Sequence, residues 1–124
     1  VAGKAKNCRV IGAEPDGAAD AYESLRANKR IVDIVSNTIC DGLRATVGEV
    51  NLQIMQEHRI EIFTVTDGET IEAMRLIWER LKILVEPSCA TVLAALIRNN
   101  TRFQDKKIGL IITGGNVDLN SLPW

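Results

Sequence analysis

Residues 59–65 and 69–84 read RIEIFTV and ETIEAMRLIWERLKIL, and these two stretches decide the fold. In the first, apolar and polar residues alternate, which predicts a β-strand. Between them, Thr66-Asp67 followed by Glu69 and Thr70 is a helix start signal. The second stretch predicts a helix with one apolar face, because its apolar residues recur at steps of three and four: Met74, Ile77, Trp78, Leu81 and Leu84.

Elements of the same kinds are predicted on both sides of this unit. Residues 8–13 (CRVIGA) read as a buried strand, and residues 106–113 (KKIGLIIT) as a continuous apolar strand covered on both faces. Further helices are predicted at residues 18–29, 47–58 and 88–100, the last with Ser88 as its cap after Pro87. Residues 30–46 carry loop signals. The order β-α-loop-α-β-α-α-β predicts one α/β layered domain over residues 1–124, with a partly parallel sheet.

Composition excludes several classes of function. The 124 residues carry a net charge of -1 with no basic stripe, so we expect no nucleic-acid partner. No apolar run approaches the ~20 residues that span a bilayer, so we expect no membrane partner either. The single histidine, His58, excludes a metal site built from several imidazoles and is predicted to end a helix as a solvated residue. Three widely spaced cysteines without a CxxC pair favour free thiols and a cytoplasmic location.

The apolar run near the C-terminus stops at Thr113-Gly114-Gly115 and is followed by Asn116. In open α/β sheets, ligands bind outside the carboxyl ends of the strands. A hydroxyl group at such an end can contact a ligand, and glycines let the backbone approach it closely. A plain exit from a strand into a turn explains the same residues. The local pattern leaves both interpretations open.

Four ordered segments resemble one family: IGAEPDGAADAYES, TICDGLRATVGE, IFTVTDGETIEAMRLIWERLKILVEPSCATVLAAL and GLIITGGNVDL. They are similar to the pyridoxal-phosphate-dependent serine racemases and serine/threonine dehydratases, a group that includes the 3-hydroxyaspartate dehydratases. The resemblance covers essentially the whole chain. It implies a three-layer αβα, Rossmann-like part of the large domain of the tryptophan-synthase-β-like fold, with a mostly parallel sheet, and pyridoxal phosphate as the cofactor.

The resemblance also implies that parts of the family's site lie outside these residues. Family members are longer, and their first part carries the Schiff-base lysine, in a Ser-x-Lys-x-Arg-type motif, and the glycine-rich loop that holds the cofactor phosphate. Neither motif occurs here. We therefore expect a truncated relative that is not catalytically competent alone, working as a homo-oligomer or with a complementing N-terminal chain. The alternatives are a standalone oligomerising module derived from the enzyme and one half of a split enzyme.

Four positions match the family's cofactor site. Thr113 matches the residue whose hydroxyl bonds the pyridine nitrogen, a neutral partner that the resemblance ties to β-elimination and racemisation. Gly42 matches a residue packed against one face of the ring, and Gly114 follows Thr113; Asp41-Gly42 also reads as a simple turn. Glu86 matches a carboxylate near the ring, or is a surface acid before Pro87. Cys40 and Cys89 depart from the family pattern, and either sulfur crowds the pocket or packs as a small hydrophobe.

Two further sets of residues match family sites. Glu14, Ala18 and Asp20 match a divalent-cation site made of two carboxylates and a backbone carbonyl, which suits Mg²⁺, Ca²⁺ or Mn²⁺. The alternative is that Asp20 complements a helix N-terminus and Glu14 is solvated. Lys82 and Asn116 match residues that bind a regulatory nucleotide in animal serine racemases, although Asn116 can also cap a turn.

Overall fold

The computed structural model describes residues 7–124, and most of the predicted elements are present with shifted ends. The described elements are β1 (Ile11–Pro15), α1 (Asp20–Ala27), α2 (Glu49–Glu57), β2 (Glu61–Val65), α3 (Asp67–Leu81) and α4 (Pro87–Arg98). Three short 3₁₀ turns lie between or after them: Asp16–Ala18, Asp41–Leu43 and Asn100–Phe103. Residues 30–46 hold no helix or strand except the second of these turns, as their loop signals predicted.

The two strands pair in parallel and form the middle layer. Ile11 lies opposite Glu61, and the register continues to Pro15 opposite Val65. Alternate side chains of a strand point to opposite faces. Phe63 and Val65 pack into the apolar cluster of α3 and α4, whereas buried Ile62 belongs to the other face, where α1 contacts β2. The three-layer α/β prediction with a parallel sheet is therefore confirmed.

The core lies between α3 and α4. Met74 and Ile77 of α3 are buried, and α4 presents the small residues Ala90 and Ala94 to them, which lets the two helices approach closely. The helix ends at Leu81 because the next residue adopts the left-handed conformation, with φ of 58°. The predicted helix over residues 69–84 was therefore three residues too long, and Leu84 lies beyond it.

The start of α3 is a complete capping box. The Thr66 hydroxyl accepts a hydrogen bond from the Glu69 amide, and the Glu69 carboxylate accepts one from the Thr66 amide at 2.8 Å. That backbone bond is the main cause that lowers the pKa of Glu69 below its usual value. The helix start predicted from Thr66-Asp67 and Glu69 is confirmed.

The strand predicted at residues 106–113 is wrong. A strand needs a neighbouring strand to pair its backbone, and within residues 7–124 the sheet contains β1 and β2 alone. The run was also expected to be covered on both faces. Instead three of its isoleucines are exposed, with Ile111 at 72% of its surface and Ile108 and Ile112 also open. A continuous apolar run predicts a buried strand, but the run itself does not show whether a neighbouring strand is there to pair with it.

Two smaller predictions concern the polar and sulfur-bearing residues. His58 follows the last residue of α2 and is exposed, as expected for a solvated helix end. All three cysteines are free thiols: Cys8 is exposed, while Cys40 and Cys89 are buried. None of the helices formed by residues 7–124 has the length and apolar character needed to cross a membrane.

Candidate cofactor site

The first turn of α4 brings Glu86 and Gly114 together. The Glu86 amide donates a hydrogen bond to the Gly114 carbonyl at 3.1 Å. The Glu86 carboxylate contacts the same segment, because it accepts a hydrogen bond from the Asn116 amide at 2.9 Å. Glu86 is therefore not a simple surface acid before Pro87, because its backbone and its side chain both hold the segment after Thr113.

Gly114 is glycine because the Glu86 carboxylate occupies the space that a side chain would fill. A β-carbon built on Gly114 would lie 2.5 Å from Glu86 Oε1 and 2.7 Å from its Oε2. Carbon and oxygen atoms that are not bonded do not approach so closely. The absence of a side chain thus lets the carboxylate lie directly on the Gly114 backbone. We call this place, where residues 113–116 meet Glu86 at the start of α4, the corner.

Gly42 also packs against the first turn of α4. Its amide donates a hydrogen bond to the Ser88 hydroxyl at 3.0 Å, and a β-carbon on it would lie 3.8 Å from Glu86 Oε1. The Asp-Gly turn does form, since Asp41–Leu43 is a 3₁₀ turn, but it is packed onto α4 instead of standing alone. Ser88 was predicted as the helix cap; Glu86 is the cap residue, and the Ser88 hydroxyl holds the Gly42 loop instead.

Thr113 lies at the open side of this corner. The residue is exposed, and its amide donates to the Cys89 sulfur at 3.1 Å. Cys89 itself is only 4% exposed, and Cys40 is fully buried. Burial raises the pKa of the Cys40 thiol to about 11, although the neighbouring Thr38 opposes the shift. Both sulfurs therefore pack as small hydrophobes beneath the corner, which supports the second of the two expectations for them.

The family resemblance assigns these residues to one face and one edge of a pyridine-type ring, and that assignment stays a prediction. Thr113 is exposed, so its hydroxyl can bond a ring nitrogen. The places that side chains on Gly42 and Gly114 would take are filled by Ser88 and Glu86, so both backbones lie directly against the start of α4. Glu86 supplies a fixed negative charge between them. Bound pyridoxal phosphate would supply an electron sink for a carbanion next to its ring. The chain's own groups would position the ring and contact its nitrogen.

The three residues predicted to bind a cation lie close together around the start of α1. The Glu14 carboxylate accepts hydrogen bonds from two amides of α1, those of Ala21, at 3.2 Å, and Tyr22, at 2.8 Å. Asp20, 4% exposed, accepts a hydrogen bond from the Val47 amide. Burial raises the pKa of Glu14, and the Asp20 charge adds to that rise. Glu14 is thus neither freely solvated nor isolated from Asp20.

This arrangement also has a complete explanation without a cation. Both carboxylates accept backbone hydrogen bonds, and Glu14 binds amides in the first turn of α1. Within residues 7–124, no three or more His, Cys, Asp or Glu side chains are grouped to hold a metal. The predicted set has two side chains and a carbonyl, so the cation site stays a prediction.

The two residues matched to a nucleotide site lie on neighbouring segments. Lys82 is exposed at the left-handed end of α3, two residues before Leu84. The Leu84 carbonyl lies 2.9 Å from the point where a β-carbon of Gly115 would stand, so the chain around Asn116 runs beside it. Asn116 uses its amide to bind Glu86. Their nucleotide role stays a prediction.

Comparison with known proteins identifies the class. Residues 1–114 match the family model described as "Pyridoxal-phosphate dependent enzyme", so the chain belongs to that family. It is 44% identical over 120 residues to the β-hydroxyaspartate dehydratase of Paracoccus denitrificans and 45% identical over 122 residues to the serine racemase of Dictyostelium discoideum. Among solved structures, the serine racemase of maize superposes with a TM-score of 0.84 at 38% identity.

The comparisons also fix how much of those proteins the chain represents. It is matched over 97% of its own length by the dehydratase and 94% by the Dictyostelium racemase, but spans 38% and 37% of them. For the maize racemase the shares are 90% of this chain and 36% of that one. The chain thus corresponds to well under half of each relative, and the resemblance drawn from its four motifs is confirmed.

The packing of Glu86 on Gly114 gives a prediction with a matched control. Gly114→Ala should push the carboxylate away and break its bond to the Asn116 amide, at a cost of about 1–3 kcal/mol in unfolding free energy. Gly109→Ala, whose β-carbon would meet nothing within 4 Å, should change that free energy by less than about 0.5 kcal/mol. Urea denaturation and the Asn116 amide resonance measure the two effects. Equal effects of the two substitutions would contradict the packing described here.

Proposed function

We propose that this chain supplies the nitrogen edge and one face of a pyridoxal-phosphate site in a dehydratase (ammonia-lyase) or racemase of hydroxy amino acids. The observation that carries the proposal is the meeting of Gly42, Glu86 and Gly114 at the first turn of α4, with exposed Thr113 beside them. These are the residues that the family resemblance assigned to the cofactor, and they are separated by up to 72 positions in sequence.

In the proposed site, each residue has a separate task. The Thr113 hydroxyl contacts the pyridine nitrogen without charging it, which leaves the ring a weaker electron sink than a carboxylate partner would. Glu86 orients the 113–116 segment through the Asn116 amide, and the Gly42 backbone lies against the ring. The reaction would be removal of the α-proton of a hydroxy amino acid, followed by loss of water or by return of the proton. Serine, threonine and 3-hydroxyaspartate are the candidate substrates.

The lysine and the phosphate loop of the family would have to come from polypeptide outside these 124 residues, since no Ser-x-Lys motif occurs in them. The chain alone is therefore proposed to be inactive, because the lysine is both the anchor and the base. A complementing N-terminal chain or a second copy would cover the surface around the site. We also propose a divalent cation at Glu14, Ala18 and Asp20, because these residues match a cation site of the family.

A second candidate is a standalone assembly module derived from the enzyme. The observation in its favour is the exposed apolar run that was predicted to be a covered strand, with Ile111 at 72% exposure. Contiguous apolar surface of this kind is typical of contact with another polypeptide. The first proposal also requires this surface to be covered by another polypeptide. The two candidates therefore differ in whether the corner at Thr113 binds the cofactor.

Activity in a chimera tests the cofactor corner. The matched segment of the Paracoccus dehydratase would be replaced with this chain, and ammonia release from 3-hydroxyaspartate, serine and threonine measured. We expect activity in the chimera and none from the chain alone with pyridoxal phosphate. Thr113→Val, which keeps the shape but removes the hydroxyl, should lower kcat about 10- to 100-fold. Thr113→Ser keeps the hydroxyl and should stay within about threefold of the parent.

Two results would count against this proposal. Pyruvate, 2-oxobutyrate or D-serine formed by the chain alone would show that it does not need a complementing part. A chimera that binds pyridoxal phosphate, seen by its visible absorbance, but responds equally to Thr113→Val and Thr113→Ser would remove the hydroxyl from its proposed task.

Calorimetric titration with Ca²⁺, Mg²⁺ and Mn²⁺ tests the cation site. We expect saturable binding that Glu14→Gln abolishes, because a neutral amide is a poorer ligand than a carboxylate for these ions. Asp16→Asn removes a nearby exposed charge outside the proposed set and should leave binding within about twofold. Loss of binding in both variants, or no binding to the parent at millimolar concentration, would reject the site.

Sedimentation velocity tests the assembly proposal. Because the exposed isoleucines should be covered by a second copy, the chain is expected to dimerise or form larger oligomers as its concentration rises. Ile111→Lys should shift the equilibrium towards monomer, whereas the exposed Val50→Lys on α2 serves as a matched control. A monomer at all concentrations would exclude self-assembly and favour a complementing chain.

A further inference from the structure

Asp67 uses both oxygens of its carboxylate to hold a distant loop. The Thr38 hydroxyl donates to Oδ1 at 2.5 Å, and the Ile39 amide donates to Oδ2 at 3.0 Å. Thr38 is only 6% exposed, and its hydroxyl in turn accepts a hydrogen bond from the Cys40 amide at 3.1 Å. Asp67, Thr38 and Cys40 thus form a short chain of hydrogen bonds, which begins in the first turn of α3 and ends in the loop between α1 and α2.

The loop that Asp67 holds is the one that carries Gly42. From residue 38 to residue 44 the chain turns back on itself, since the Arg44 guanidinium donates to the Thr38 carbonyl at 2.7 and 3.2 Å. At its far side the Gly42 amide binds Ser88 on α4. This turn, residues 38–44, is thus attached at two places: to the start of α3 through Asp67 and to the start of α4 through Ser88.

The start of α3 does not need Asp67 for its capping. The Thr66 hydroxyl and the Glu69 carboxylate satisfy each other's amides, so the capping box is complete without it. A charged acceptor is costly to bury partly unless both oxygens are used, and here both are used by the loop. Removing the carboxylate would leave the buried Thr38 hydroxyl and the Ile39 amide without their acceptor.

We infer that Asp67 is a positioning residue, which fixes the 38–44 turn and thereby the place of Gly42 beside Glu86. Its role in the cofactor site rests on the function proposed above. Residues 29–48 form a long connection whose only regular element is one 3₁₀ turn, so its position depends on a few such bonds. Asp67 acts through the turn, because its carboxylate bonds Thr38 and Ile39.

The cysteines of the chain provide a direct test without cofactor. Cys40 lies buried in the turn, Cys89 lies buried in α4, and Cys8 is exposed. In the parent chain, a pulse of iodoacetamide at pH 8 followed by mass spectrometry should label Cys8 first and leave the other two protected. Asp67→Ala should raise the labelling rate of Cys40 at least about tenfold, because loss of two bonds to a charged group favours opening of the turn.

Three further variants separate the loss of this attachment from general loosening. Thr38→Val removes the same contact from the loop side and should also expose Cys40. Thr66→Ala weakens the helix start without touching the turn, and Glu72→Gln removes an exposed charge of α3. Both should leave the ratio of Cys40 to Cys89 labelling rates within about twofold of the parent ratio. Cys89 reports on global unfolding, so the labelling of Cys40 is compared with that of Cys89 in each of the four variants.

The labelling of Cys40 relative to Cys89 decides whether the inference holds. A rise at Cys40 alone in Asp67→Ala and Thr38→Val supports the inference. Protection of Cys40 in a folded Asp67→Ala variant, or parallel labelling of Cys40 and Cys89, overturns it. The cofactor link has its own readout, since Asp67→Ala in the chimera should raise the Kd for pyridoxal phosphate about tenfold. If the chimera fails to bind the cofactor at all, the proposed function fails while the labelling result stands.

Discussion

The close contact between the first turn of α4 and two loop backbones is the constraint on which the rest of the site depends. Glu86 binds Gly114 through its amide and Asn116 through its carboxylate, while Ser88 binds Gly42. The turn can act as an anchor because the helix behind it is packed into the core against Met74 and its neighbours. Two segments without regular structure are in this way given fixed places by one rigid element.

The helices and the first two strands could be predicted from the sequence because their signals are local. Alternation in residues 59–65, the capping box at Thr66 and the periodicity of α3 each depend on neighbours within a few positions. The end of α3 was missed because Lys82, unlike glycine, gives no sign that it adopts a left-handed conformation. The strand at residues 106–113 was predicted wrongly because pairing depends on a partner strand that the local pattern does not reveal.

The site was predictable only in part. Position at the end of an apolar run made Thr113 a candidate, but its assignment to a cofactor, with those of Gly42 and Glu86, came from the family resemblance. The contacts of Ser88 and Asp67 could not be found in the sequence, since each joins positions 28 to 46 residues apart. A serine near a helix start and an aspartate after a cap residue have ordinary local explanations, and those explanations hide their tertiary role.

The exposed run from Ile108 to Ile112 has a consequence for the behaviour of the chain in solution. Exposed β-branched residues in a segment outside the sheet that residues 7–124 form are suited to pair with identical segments and to grow into cross-β aggregates. Lys106 and Lys107 precede the run and Gly109 interrupts it, and such charged and flexible residues slow that growth. Slow, irreversible loss of material at high concentration would therefore have a different cause from reversible association, although both begin at the same surface.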